Sequence, residues 1–217
     1  GEFTSVGTAS LSYLGARWER DNTAYFTRGK KSMSPKKSNL GSQGLLMSVY
    51  ADRIVLDRHD FLYNEGIDDA WVIPLPVAEN KPYSFEGRAT ASIAPEFPEG
   101  AALKVVKVAA KSTNDVATLR VTVPMATFKG VFGDRVFDYE VQVRAALSDS
   151  DPYVTKRVVE AKYAERHERM RGSLTNSFTV CCFSENEFPK DIDLEVVARP
   201  CNAFGIAGRP IIATAAK

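Results

Sequence analysis

"RVFDYEVQVRAAL", residues 135–147, is the stretch that decides the fold. Phe137, Tyr139, Val141 and Val143 recur at every second position, with Asp138, Glu140, Gln142 and Arg144 between them. A two-residue period sends alternate side chains to opposite faces, so this is a β-strand with one face toward a core and one toward water. On a helix the same apolar residues would scatter around the circumference.

The neighbouring text has the same character. "GAALKVVKVAA" (100–110), "VATLRVTVPMA" (116–126), "LTNSFTVCCF" (174–183), "IDLEVVARP" (192–200) and "PIIATA" (210–215) are short apolar runs separated by turn residues. "KGVFGDR" (129–135) has two glycines without phosphate-loop spacing and is expected to be a hairpin turn. "DPYVTKRVVEAKYAERHERMRG" (151–172) opens with a helix-start signal, Asp151-Pro152, yet its Val154–Tyr163 part serves equally as a strand. A strand followed by an irregular or helical connection is the favoured reading. Six or seven strands in this region predict a mainly β protein with a two-layer sandwich over residues 78–217.

The 217 residues offer enough interior for a real core, in one large domain or two small ones. A net charge of +1, with 44% hydrophobic and 25% charged residues, gives no global drive toward nucleic acid or a membrane surface. No run approaches the roughly 18–20 apolar residues of a membrane span. Cys181, Cys182 and Cys201 lack metal-site spacing. Adjacent strand residues point to opposite faces, so at most one of Cys181 and Cys182 could bridge Cys201; otherwise all three are small core residues.

Upstream, "RGKKSMSPKKSNLGSQG" (28–44) carries five basic residues among serine, glycine and proline. It is expected to be a solvated loop rather than a phosphate grip, because no aromatic residues interleave with the charges. "SQGLLMSVYADRIVLDRHDF" (42–61) is a hairpin turning at Ala51-Asp52-Arg53. "DDAWVIPLP" (68–76) is a short strand, and the proline-rich text after it marks a boundary near residue 78.

The hairpin ends in Asp57-Arg58-His59-Asp60, where Asp-x-His could place two metal ligands on one strand face. A dinuclear hydrolase needs several further His and carboxylate ligands. The only other histidine is His167, and no H-x-H, H-E-x-x-H or G-N-H motif supplies the rest. A polar strand face explains the tetrad without help from elsewhere. No G-x-S-x-G elbow exists either, so no catalytic residue, metal ligand or cofactor is assigned to this chain. A binding surface remains open. Arg166, Arg169 and Arg171 could clasp an acidic partner or lie solvated. Trp18, Tyr25, Phe26, Phe128 and Phe132 could bind glycan or protein, or belong to the core.

Two family likenesses add to this reading. "SVGTASLSYLG" (5–15), "RGKKSMSPKKSNLGSQGLLMSVYADRIVLDRHDF" (28–61) and "AWVIPLP" (70–76) resemble the stretch closing the catalytic domain of bacterial calcineurin-like metallophosphoesterases. That resemblance implies closing strands of an incomplete catalytic sandwich over residues 1–77. A dinuclear metal centre is then expected only in an intact parent. The family's Gly-Asp-x-x-Asp, Gly-Asn-His and His-x-His motifs do not follow Asp57 and His59, so none of its ligands is carried over. "IDLEVVARPCNAFGIAGRPI" (192–211) resembles the last two strands of the fibronectin type III sandwich, with Gly205 and Gly208 permitting positive φ and Pro210 opening an edge strand. Such modules are appended to secreted bacterial hydrolases, which implies a periplasmic or secreted setting.

The expectation is therefore a non-catalytic accessory fragment of a metallophosphoesterase-like protein. It would pack on the missing catalytic portion or another chain, and bind neither nucleic acid nor membrane. A self-contained module for glycan or protein is the alternative.

Overall fold

The computed structural model describes residues 16–17, 26–28, 32–35, 43–61, 64–66, 70–75, 85–110, 116–130, 134–146, 151–160 and 178–215. Among the described residues three short strands come first, Ala16–Arg17 (β1), Phe26–Arg28 (β2) and Ser32–Pro35 (β3), with β3 pairing antiparallel to both others. The strand at Ser32–Pro35 corrects the expectation of a loop across 28–44. Its alternating Ser-Met-Ser has the period of a strand, and the flanking lysines masked it.

The hairpin forms as the alternation requires. Gln43–Val49 (β4) pairs with Arg53–Asp60 (β5), placing Met47 opposite Leu56 and Val49 opposite Ile54. The turn closes with a hydrogen bond from Tyr50 N to Arg53 O at 2.8 Å, and the Arg53 guanidinium lies 4.4 Å from the centre of the Tyr50 ring. Glu65–Gly66 (β6) and Trp71–Pro74 (β7) both pair with β5. Leu56 is buried in this sheet, but Met47, Val49, Leu46 and Val72 are exposed.

After a seven-residue helix, Phe85–Ala91 (α1), seven strands follow among the described residues: Lys104–Val108 (β8), Thr118–Pro124 (β9), Val136–Ala145 (β10), Val154–Val159 (β11), Phe178–Ser184 (β12), Leu194–Asn202 (β13) and Ile211–Ala215 (β14). They form two antiparallel sheets, a three-stranded one ordered β12-β9-β8 and a four-stranded one ordered β11-β10-β13-β14. Alternate residues of both sheets meet in one core. Leu119, Val121, Val123, Cys181 and Phe183 come from the first sheet, and Tyr139, Val141, Val143, Val158, Val196 and Ala198 from the second. Full burial of each aliphatic or aromatic side chain contributes about 1.5–3 kcal/mol, so this interface holds the sheets together. The edge strand β8 carries Lys104 and Lys107, charges that discourage pairing with a foreign strand.

Three expectations from sequence need correction. β9 and β10 lie in different sheets, so "KGVFGDR" belongs to a crossover between sheets and not to a hairpin turn. A bulge between Val136 and Asp138 shifts the phase of β10, so Val136 enters the core cluster while Phe137 is only half-buried. Gly208 does not have positive φ, whereas Gly205 does, at 82°. A Cβ on Gly208 would overlap the carbonyl oxygen of Pro95, so close approach is what demands glycine there.

Candidate functional site

Asp57 and His59 share one face of β5, as alternation requires, and Arg58 and Asp60 take the other. His59 Nε2 lies 3.3 Å from Asn64 Oδ1, and its ring sits 5.0 Å from that of Phe61. Asp60 is fully buried on the opposite face, and the Arg58 guanidinium lies 5.9 Å from the Trp71 ring. The two carboxylates of the tetrad are thus divided by the sheet itself. Among the described residues no three His, Cys, Asp or Glu side chains gather as a metal site.

Of the candidate binding residues, Phe128 is exposed, with the Arg135 guanidinium 5.8 Å from its ring. Trp18, Tyr25, Phe132, Arg166, Arg169 and Arg171 lie outside the described residues. So does the side chain of Phe26. The thiols are not bridged. Cys181 lines the core, while Cys201 opposes Asp138 on the outer face of the other sheet, so the core separates them. Burial pushes the Cys201 thiol above its usual range.

The outer face of the four-stranded sheet carries a charged ladder. Arg157 on β11 grips Asp138 on β10 with Nε to Oδ2 at 3.0 Å and Nη2 to Oδ1 at 2.5 Å. Glu140 accepts from Arg199 Nη1 at 3.2 Å and from Gln142 Nε2 at 3.1 Å. Arg144 donates its Nε to Glu195 at 2.7 Å. Glu140 sits directly across from Arg157 and Arg199, and Arg144 across from Glu195, while Arg157 reaches diagonally to Asp138; cross-strand pairs of this kind help to fix strand pairing.

A second polar cluster lies at the end of the sandwich where β9 crosses to β10 and β13 turns into β14, here called the base. Ser92, just beyond α1, donates its hydroxyl to Asp134 Oδ1 at 2.5 Å. The Ile93 amide donates to the same oxygen at 2.9 Å. Asn202 Nδ2, at the end of β13, donates to Ser92 Oγ at 2.6 Å and to the Ile93 carbonyl at 3.3 Å. Its Oδ1 accepts from the amides of Phe204 and Ile206, each at 3.0 Å, which fixes the orientation of the side-chain amide. Asp134 and Asn202 are both buried. A few residues away, Tyr139 OH accepts from Ala126 N at 3.0 Å and faces Glu160 Oε1 at 3.5 Å. Burial, with the Glu160 carboxylate beside it, pushes the Tyr139 phenol well above its usual range.

Sequence reading missed this cluster. Ser92, Asp134 and Asn202 are far apart in the chain and form no motif. The one local signal is Asn202 ahead of Gly205, a residue type that accepts from the backbone two residues on.

No family model, no curated protein and no solved structure matches this chain. Among the described residues no helix is long and apolar enough to cross a membrane.

Proposed function

We propose that this chain is a non-catalytic accessory portion of a larger protein, with a fibronectin type III-like sandwich over residues 78–217 and an upstream sheet that completes its packing on another part of that protein. One observation carries this reading. Leu46, Met47, Val49, Tyr50, Phe61 and Val72 are exposed on or beside the small β4–β7 sheet. The register puts Leu46 and Val72 on one face and Met47 and Val49 on the other. A sheet with open apolar side chains on both faces needs a layer against each.

The strand order supports the sandwich type. The first, second and fifth strands of the sandwich face the third, fourth, sixth and seventh. This is the seven-strand immunoglobulin arrangement with its fourth strand moved to the second sheet. That the larger protein is a metal-dependent phosphoesterase rests on the resemblance of residues 5–76 alone. The glycan- or protein-binding alternative calls for clustered exposed rings; among the described residues of the sandwich, Phe128 lies at the base and Tyr153 at the opposite end.

The test combines two measurements on the purified chain. Phosphomonoesterase and phosphodiesterase assays with added manganese, zinc or iron are expected to show no turnover; turnover abolished by His59→Ala would overturn the proposal. An apolar dye should bind the chain and lose most of its fluorescence in Met47→Lys and Val72→Lys. Unchanged dye binding would remove the observation on which the reading stands.

A further inference from the structure

We infer that the base of the sandwich is a binding groove for an extended peptide, filled in this chain by its own residues 92–97, Ser-Ile-Ala-Pro-Glu-Phe. The sandwich contacts this segment at nearly every residue. Asp134 takes the Ser92 hydroxyl and the Ile93 amide, while Asn202 takes the Ile93 carbonyl. Gly208 leaves space for the Pro95 carbonyl, and Pro95 itself is buried. Glu96 and Thr127 exchange both backbone hydrogen bonds, at 2.9 and 2.8 Å, in an isolated antiparallel bridge. Phe97 stacks on Tyr139 with ring centroids 5.9 Å apart and an interplanar angle of 17°, reaching the edge of the core.

These contacts have the form of peptide recognition by strand addition, in which main-chain hydrogen bonds give affinity and pockets for particular side chains give specificity. Asp134 is the positioning residue. One carboxylate oxygen accepts both a side-chain hydroxyl and the next backbone N–H, a combination that selects Ser or Thr at the first position. The Asp134 acceptor on the β9–β10 crossover and the Asn202 donor at the end of β13 come from separate parts of the chain, so the groove belongs to the sandwich and not to the segment. The ligand class follows: an extended peptide with a hydroxyl residue first, proline at the fourth position and an aromatic ring at the sixth.

The experiment uses the full chain with a protease recognition sequence inserted between Glu99 and Gly100, an exposed turn beyond Phe97. After cleavage of the folded protein, the piece ending at residue 99 is expected to co-elute with the sandwich. A synthetic peptide spanning residues 90–98 should displace it. Ser92→Ala or Asp134→Ala should weaken retention at least tenfold. Immediate separation of the pieces overturns the inference, as does retention in both variants as strong as in the unsubstituted chain, because contacts elsewhere would then hold them. Hydrogen exchange on the uncut, uninserted chain gives an independent reading. The Ile93 and Glu96 amides should be protected, and Ser92→Ala should speed Ile93 exchange at least tenfold with Val141 and Val196 unchanged. An Ile93 amide exchanging at the unstructured rate in the unsubstituted chain overturns the inference whatever the cleavage shows.

Discussion

Arg157 and Asp138 meet fork to fork across β11 and β10, with two hydrogen bonds of 3.0 and 2.5 Å to a carboxylate that has no solvent exposure. Removing the guanidinium would leave the buried carboxylate without its main counter-charge. Breaking a fully buried pair costs about 3–5 kcal/mol. Because a third of the Arg157 side chain remains in water, the expected loss for Arg157→Met is smaller, about 2 kcal/mol. Urea unfolding measures it, and Arg157→Lys should recover only part, since a lysine cannot make the two parallel bonds. A loss within 0.5 kcal/mol would show that the ladder is solvated.

Tyr139 predicts a pH dependence. Its folded-state pKa is raised above the ordinary value near 10, so the native protein holds the phenolic proton more tightly than the unfolded chain does. The associated stability is fully present below about pH 10 and is lost as pH rises toward the folded pKa, by at most about 1.4 kcal/mol per pH unit. Tyr139→Phe should remove that part of the alkaline slope. It should also cost about 1–2 kcal/mol at neutral pH by depriving the Ala126 amide of its acceptor. Parallel alkaline slopes in the two proteins would show that the hydroxyl titrates freely.

Gly208→Ala should be far more damaging than its size implies. The added methyl would overlap the Pro95 carbonyl oxygen and stand 3.0 Å from Pro200 Cγ. Backbone on one side and a proline ring on the other leave little to yield, so at least about 2 kcal/mol is expected by thermal or urea unfolding. Gly205→Ala would be penalised for a different reason, its φ of 82° with nothing near the site. A structure of Gly208→Ala in which residues 92–97 had left the base would connect this cost to the groove.

Thiol labelling should discriminate the three cysteines. Cys182 is exposed on the outer face of its sheet and should react with a disulfide reagent in the native protein. Cys181 and Cys201 are buried, and burial keeps Cys201 protonated. Both should react only at the rate of unfolding. Fast labelling in a Cys182→Ser variant would contradict the buried placement of the other two.

Periodicity alone makes most of the sandwich legible in the sequence. Tyr139, Val141 and Val143 alternate with polar residues, and the strand forms with that set inward. The same rule placed Asp57 and His59 on one face of β5 and separated them from Asp60. Short elements escaped it. The helix Phe85–Ala91 has seven residues, too few to show a helical period, and it follows proline-rich text. The bulge at Val136–Asp138 inserts one residue, and no alternation count reveals which residue will be left out of phase.

The sequence by itself determined the class of fold, the longer strands and which side chains of each could share a core, because those depend on residues two positions apart. Only the tertiary structure decided which strands became neighbours and what met at the base. Ser92, Asp134 and Asn202 come together through a crossover between sheets and the end of β13, ahead of its turn into the edge strand β14. Gly208 has no room for a Cβ because of a carbonyl more than a hundred residues upstream. Local pattern carries information about backbone period and exposure. The meeting of distant polar groups depends on how whole sheets stack, and the gain from burying the core sets that arrangement.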